Sequence, residues 1–244
     1  MAKRASTPAR RLRIMVSSTV HDIAPLLEQI FGILESFDYE VWMSHMGTIP
    51  NYSGNHAWTD CLEAVKNCDL FLSIITPRYG SGVADGQHGI THQELELAMQ
   101  RPIPRWVVAH ERVKIARAVF RKLGKDSSAA RGELFNILGF GAGEEYKKMV
   151  RRDSDIIDDF RVIDMYELAT QHGIPIENRV GNWVQEFKQP DDVRRYVSAQ
   201  FHDVARVRDN IARIASASPA SGPTTTSTRT STKGSTTKKS RPSK

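Results

Sequence analysis

The chain has 244 residues, of which 40% are hydrophobic and 25% are charged, and this composition excludes a fibrous, collagen-like or wholly disordered protein. No apolar run approaches the roughly 20 residues that a membrane-spanning helix needs. Residues 1–13 also lack the apolar stretch of a secretory signal, so we expect a soluble, cytoplasmic protein without a membrane partner.

The net charge of +6 is concentrated at the two ends of the chain. Residues 1–13 and 219–244 hold 11 of the 34 basic residues and no acidic residue, which leaves 23 basic against 28 acidic residues between them. The segment between the ends is therefore mildly acidic, and this charge pattern does not indicate a nucleic-acid surface on the folded part.

Composition divides the chain into a basic arm at 1–10, an α/β domain at 11–215 and a basic, Ser/Thr-rich tail at 216–244. The tail has no aromatic residue and, apart from threonine, no branched aliphatic one, so we predict that it is disordered. Composition favours a tail that only increases solubility. The alternative is weak, salt-sensitive binding of nucleic acid or an anionic surface through its basic residues.

Within the α/β domain, short apolar runs alternate with segments whose apolar residues recur at helical spacing. Strands are predicted at residues 12–17, 39–43, 69–76 and 104–109, with a fifth at 160–165. Helices are predicted from residue 22 to residue 34, at 57–67, 91–100 and 112–123, and from residue 190 to residue 207.

The segment 69–76, DLFLSIIT, is apolar on both of its faces. Such strands are typical of parallel sheets that helices cover on both sides. We therefore predict a three-layer, doubly wound α/β domain whose mainly parallel sheet has about five strands in flavodoxin-like order. Ligands of such sheets bind beyond the carboxyl ends of the strands.

Four short motifs, in chain order, resemble a known family. They are VSST at 16–19, the acid Asp22, RYG at 78–80, and a T-x-x-E pair formed by Thr91 and Glu94. Together they are similar to the TIR-like family called domain of unknown function 4062, whose members include prokaryotic defence-associated proteins. The resemblance covers about residues 11–111 and implies a TIR-like fold.

The resemblance also implies an activity. In the wider superfamily of TIR domains and nucleoside deoxyribosyltransferases, a glutamate at the start of the corresponding helix breaks N-glycosidic bonds, and it falls on Glu94. This implies a nucleotide N-glycosidase that hydrolyses NAD, as substrate rather than cofactor, or a related nucleotide in defence or signalling. The second acid of the transferases has no equivalent except Asp22, so hydrolysis is favoured over transfer. The alternative is a non-catalytic module that senses a nucleotide, associates with itself or binds a partner protein of a defence system.

The loops after the first and third strands open at the same edge of a doubly wound sheet, so their side chains are expected to converge on Glu94. The substrate-binding candidates are Ser17, Ser18, Thr19, Asp22, Arg78, Tyr79, Gly80 and Thr91. A nicotinamide leaving group is already cationic, so one carboxylate suffices to stabilise the sugar cation. The start of the first helix and Arg78 would bind phosphate, and Tyr79 would stack on a base.

Each of these residues also has a purely structural interpretation. Thr91 and Glu94 match a capping box, and Thr19 and Asp22 match a helix cap. Ser17 and Ser18 could simply end a strand. Arg78 and Tyr79 could fix their loop by packing and an ion pair. These alternatives stay open at the level of sequence.

We predict no metal site. Cys61 and Cys68 match no metal-binding pair and are predicted to be reduced core thiols. His88 and His92 have the spacing of one helical face, but Gly89 and the predicted helix start at Thr91 disturb it, and no third ligand is marked. The glycines of 139–145 are interpreted as a turn, and the acidic run 153–159 as a solvated surface.

Overall fold

The computed structural model describes residues 10–80, 88–137 and 156–217. The strands are β1 (Leu12–Ser18), β2 (Tyr39–Trp42), β3 (Leu70–Ile75), β4 (Arg105–His110) and β5 (Val184–Phe187). The helices are α1 (Ala24–Ser36), α2 (Ala57–Asn67), α3 (Ile90–Gln100), α4 (Glu111–Lys122), α5 (Ser128–Ile137), α6 (Arg161–Ala169), α7 (Pro190–Phe201) and α8 (Val204–Ala217). Short 3₁₀ turns lie at Ser44–Met46 and Ile176–Asn178.

The five strands form one parallel sheet in the order β2-β1-β3-β4-β5. This order confirms the predicted doubly wound, flavodoxin-like architecture. In the register between the two central strands, Ser17 of β1 lies beside Ser73 of β3. Both serines lie in the carboxyl-terminal halves of their strands, so the sheet brings the ends of β1 and β3 together.

Helices cover the sheet on both faces, as predicted for a three-layer fold. Buried side chains of α2, α3, α4 and α6 form one hydrophobic cluster with one face of the sheet. Helices α1, α7 and α8 form the second cluster with the other face. Every residue of β3 is buried, which confirms the interpretation of its apolar run.

The predicted fifth strand at 160–165 is wrong. This segment begins helix α6, whose buried residues recur at helical spacing. Those residues are Val162, Ile163, Met165, Tyr166 and Ala169. The fifth strand is instead β5, which pairs with β4 at the edge of the sheet. Only Phe187 of β5 is buried, so its mixed VQEF sequence lacks the apolar signal of the central strands.

The predicted final helix is two helices, α7 and α8, which are separated at residues 202–203. Asp203 Oδ1 accepts a hydrogen bond from Arg206 N, so this carboxylate caps the start of α8. Helix α8 continues to Ala217, past the predicted start of the tail at residue 216. The rest of the tail, most of the N-terminal arm and the glycine-rich turn lie outside the described residues.

Cys61 and Cys68 are both free and buried, as predicted. None of the helices in the described ranges combines the length and the apolar character needed to cross a bilayer.

Candidate functional site

Glu94 lies in the second turn of α3 and is buried, with 4% of its surface exposed. Its Oε2 accepts a hydrogen bond of 2.5 Å from Ser17 Oγ of β1. Burial raises the pKa of Glu94 to about 7, against the opposing effects of the Ser17 hydroxyl and of the Cys61 thiol on α2. The carboxyl group is therefore held at the carboxyl end of β1 in a poorly solvated position.

The capping-box interpretation of Thr91 and Glu94 is wrong. Helix α3 begins at Ile90, its N-cap residue is Gly89, and no side chain caps it. Thr91 is the second residue of the helix and Glu94 the fifth, so neither occupies the position that a capping box requires. Glu94 instead contacts a strand that is distant in sequence.

Ser73 adds a further polar group on the sheet face that carries Ser17. The two serines are register partners in a parallel pair, so their side chains point to the same side. Ser73 is fully buried, and its Oγ has no hydrogen-bond partner among the residues that the structure describes. A buried hydroxyl without a partner is uncommon in native proteins. Within the described part of the chain, Ser73 is thus an unpaired polar group inside the protein, next to the strand that carries Ser17.

The loops after β1 and β3 lie against each other, as the sequence predicted, and hydrogen bonds join them directly. Thr19 Oγ1 lies 2.8 Å from Thr76 Oγ1 and donates to the carbonyl oxygen of Arg78 at 3.1 Å. Ser18 Oγ donates to the Ile74 carbonyl oxygen at 2.9 Å. Gly80 has a φ of +83°, and a Cβ there would lie 2.8 Å from Thr19 Cγ2. The RYG motif thus needs glycine at its third position.

Asp22 and Arg78 connect the same two loops by an ion pair. Arg78 Nε donates to Asp22 Oδ2 at 3.1 Å, and Asp22 has a φ of +67°. The predicted cap formed by Thr19 and Asp22 is wrong, because α1 begins at Ala24 and its N-cap, Ile23, has no side-chain hydrogen bond. An anion that binds Arg78 through this nitrogen would have to compete with the Asp22 carboxylate.

Tyr79 is buried inside the protein. Its hydroxyl lies 3.0 Å from His92 Nδ1 and accepts a hydrogen bond from Gly89 N at 2.9 Å. The Arg161 guanidinium lies 4.2 Å from the centre of its ring, and Asp158 accepts a hydrogen bond from Tyr79 N. Burial raises the pKa of Tyr79 to about 12. Tyr79 therefore packs in the core and contacts the start of α3 through its hydroxyl, in agreement with the packing interpretation.

Sequence reasoning missed several residues around this site. Cys61 lies on the buried face of the amphipathic helix α2, and Ser73 lies in the apolar strand β3. Neither pattern shows which side chain will face Glu94. The prediction of a solvated surface for the acidic run is wrong at two positions, because Asp158 accepts a hydrogen bond from Tyr79 N and Asp159 pairs with Arg161. No local pattern marks these contacts, because each depends on how distant elements pack.

A second group of side chains gathers at the start of α3. His88 Nδ1 lies 2.8 Å from Glu96 Oε1, and the rings of His88 and His92 stack with their centres 3.9 Å apart. Burial, together with the neighbouring His88 and Arg161, lowers the pKa of His92 to about 3. Glu96 points away from Glu94, as expected for two residues that are two positions apart in a helix.

Comparison with known proteins gives one family match. The family described as Domain of unknown function (DUF4062) matches residues 13–137, just over half of the chain. No curated protein matches the sequence. The crystal structure of a conserved protein from Enterococcus faecalis V583 aligns with 78% of this chain and 99% of its own, at 13% identity and a TM-score of 0.35. By the match to residues 13–137, this chain belongs to the DUF4062 family.

Proposed function

We propose that this protein is a TIR-like N-glycosidase that hydrolyses NAD or a related nucleotide in prokaryotic defence or signalling. The observation that carries this proposal is the position of the Glu94 carboxyl, buried beside Ser17 at the carboxyl end of the parallel sheet. An acid with little exposure and an elevated pKa is typical of functional sites. The resemblance to TIR-like proteins supplies the reaction class.

In the proposed reaction, the bond between the nicotinamide nitrogen and the anomeric carbon breaks. Both electrons stay with the nitrogen, so neutral nicotinamide leaves without needing a proton. The sugar develops cationic character, which the ionised Glu94 carboxylate stabilises in a poorly solvated setting. Water then attacks the anomeric carbon and releases one proton, which gives ADP-ribose and nicotinamide. Glu94 is the proposed catalytic residue, and Ser17 holds its carboxylate in place through their 2.5 Å hydrogen bond.

Binding of the nucleotide would use the loops that meet beside Glu94. Helix α1 has no side-chain cap, so backbone N–H groups in its first turn can donate to a phosphate. Arg78 would add a charge-assisted hydrogen bond, in competition with Asp22.

A second candidate is a non-catalytic module that binds the nucleotide without cleaving it. One observation favours it: Glu94 is only 4% exposed, and Ser17 already donates a hydrogen bond to its carboxyl group. A carboxyl group satisfied in this way can be part of the core. The contacts between the two loops would then serve recognition or assembly alone.

Turnover of NAD tests the first proposal against the second. We expect purified full-length protein to release nicotinamide, measured by liquid chromatography, and Glu94→Gln to lose this activity. The matched control is Glu63→Gln, because Glu63 is a more exposed carboxylate on the adjacent helix α2 and pairs only with surface Lys66 among the contacts described for it. Circular dichroism of each variant checks that the fold is retained.

The two candidates predict different results when thermal unfolding is followed with a panel of nucleotides. A nucleotide that raises the melting temperature but is not cleaved would favour the binding module, because ligand binding stabilises the folded state. Release of nicotinamide by folded Glu94→Gln at the wild-type rate would remove Glu94 from catalysis. Absence of both cleavage and stabilisation across the panel would contradict both candidates.

A further inference from the structure

Three side chains at the start of α3 bring potential metal ligands together. One ligand atom each from His88, His92 and Glu96 lies within 4.8 Å of the other two. Two imidazole nitrogens and one carboxylate oxygen are the protein ligands of many zinc sites that keep a fourth position open. This cluster points away from the contact between Glu94 and Ser17, so it is separate from the proposed glycosidase site.

The local backbone explains why these residues meet. His92 and Glu96 are four positions apart in α3 and therefore lie on one face, one turn apart. His88 precedes the N-cap Gly89, and its ring stacks on the His92 ring at an interplanar angle of 2°. Glu96 Oε1 lies 2.8 Å from His88 Nδ1 and 3.7 Å from His92 Nε2. The carboxylate thus lies within reach of both rings.

Tyr79 orients one of the two imidazoles. Its hydroxyl lies 3.0 Å from His92 Nδ1 and is itself held by Gly89 N. In the tautomer with a proton on Nδ1, His92 donates to Tyr79 Oη and keeps the Nε2 lone pair for a metal. Metal-binding histidines almost always have such a partner on the second nitrogen. His92 is buried, so this orientation is set by the packing of the core.

We propose that His88, His92 and Glu96 bind a divalent transition metal of the zinc class. The ligand set favours this class over Mg²⁺ and Ca²⁺, which prefer oxygen ligands. Around a tetrahedral zinc ion the ligand atoms would lie about 3.4 Å apart, so the 2.8 Å contact between Glu96 Oε1 and His88 Nδ1 must lengthen. The His88 ring must also turn out of its stack on His92, because the in-plane lone pairs of parallel rings do not converge on one ion. The side chains of His88 and Glu96 are 43% and 37% exposed, which gives them freedom to move and gives the metal access from solvent. Water or a substrate atom would complete the coordination.

The test uses full-length protein without a polyhistidine tag, treated with chelator and then desalted. We expect titration calorimetry to show one equivalent of Zn²⁺ bound by the wild type. His88→Gln and Glu96→Gln each remove a half-exposed ligand and should weaken binding at least ten-fold. His45→Gln is the matched control, since His45 lies 3.6 Å from Glu28 in a similar contact between imidazole and carboxylate and should leave the affinity unchanged.

Tyr79→Phe tests the positioning role. This variant keeps all three ligands and removes the hydroxyl, so we expect Zn²⁺ binding weakened by about ten-fold to 100-fold. Absorption spectra with Co²⁺ in place of zinc should show a four-coordinate site in the wild type and a weaker spectrum in His88→Gln. Less than one equivalent of Zn²⁺ on the wild type, or unchanged affinity in both His88→Gln and Glu96→Gln, would overturn the proposal. Neither result depends on whether the protein cleaves NAD.

Discussion

Ser17 Oγ donates a hydrogen bond of 2.5 Å to Glu94 Oε2 and so joins the end of β1 to the second turn of α3, 77 positions further along the chain. Both side chains are buried, with 1% and 4% of their surfaces exposed. The contact lies near the carboxyl end of β1. In doubly wound sheets, ligands bind just beyond the carboxyl ends of the strands. A buried carboxyl in that position requires partners, and the hydroxyl supplies one.

Ser17→Ala should destabilise the fold. The substitution removes the donor but leaves Glu94 buried, so the cost is the unmet hydrogen bond of the carboxyl, about 1–3 kcal/mol. Urea denaturation measures the change in the free energy of unfolding. The control is Ser36→Ala, because Ser36 is exposed and donates only to the nearby Ile33 carbonyl oxygen among its described contacts. Equal free energies of unfolding for the two variants would show that the buried Ser17 hydrogen bond stabilises the fold no more than an exposed one does.

Gly80→Ala should also destabilise the protein, through the backbone. Gly80 has a φ of +83°, and the added Cβ would lie 2.8 Å from Thr19 Cγ2. Conformational strain and this close approach together should cost about 1–3 kcal/mol. The free energy of unfolding is again the quantity to measure.

Gly32→Ala is the matched control for the effect at Gly80. Gly32 lies inside α1, and a Cβ there has no atom within 4 Å. Alanine should therefore stabilise α1 by about 0.5–1 kcal/mol, the opposite sign. If both glycine variants changed stability in the same direction, the close approach of Gly80 to Thr19 would not explain the result.

The central part of the fold could be predicted because its segments carry strong local signals. The run that forms β3 is buried on both faces, and the strand and helix boundaries through α4 lie within two residues of the predicted ones. The edge strand β5 could not be found in this way. Its VQEF sequence is half polar, whereas the apolar residues of 160–165 continue into the helical spacing of α6. An edge strand such as β5 pairs with another strand along only one of its edges and is less buried, so it needs fewer apolar residues.

The candidate site shows a similar division. The meeting of the loops after β1 and β3 follows from parallel topology alone, so the approach of Thr19 to Arg78 could be expected before any coordinates. The hydrogen-bond partners of each side chain could not be predicted, because they depend on which helix faces pack together. Glu96 is an example. The spacing of His88 and His92 can be seen in the sequence, but only the structure shows that Glu96 lies beside both rings.

Arg131→Ala should cause a large loss of stability. The Arg131 side chain is 1% exposed, and its Nη2 contacts Asp164 Oδ1 at 2.5 Å and Glu167 Oε2 at 2.9 Å. Removing the cation leaves Asp164 with the Ser128 hydroxyl but no cation among its described contacts, whereas Glu167 still pairs with Arg117, and we expect a cost of about 3–5 kcal/mol. Urea denaturation should show this loss, whereas alanine in place of the exposed Arg121 on α4 should change stability by no more than about 0.5 kcal/mol. A loss below about 1 kcal/mol for Arg131→Ala would mean that water replaces the guanidinium.

Asp69 should make stability depend on pH in the acidic range. Burial opposes ionisation of Asp69, but hydrogen bonds from Arg10 and from Arg13 N outweigh it and lower the pKa of this carboxyl below its ordinary value. The stabilisation from Asp69 is therefore present above the unfolded pKa and is lost as the pH falls through the lower folded pKa. In denaturation series between neutral and acidic pH, we expect the difference between wild type and Asp69→Asn to be largest at neutral pH and to shrink under acid. Arg10→Gln keeps the carboxyl but removes its main partner, so its curve should lie between the two. Parallel curves for wild type and Asp69→Asn at every pH would contradict this role of the Arg10 contact.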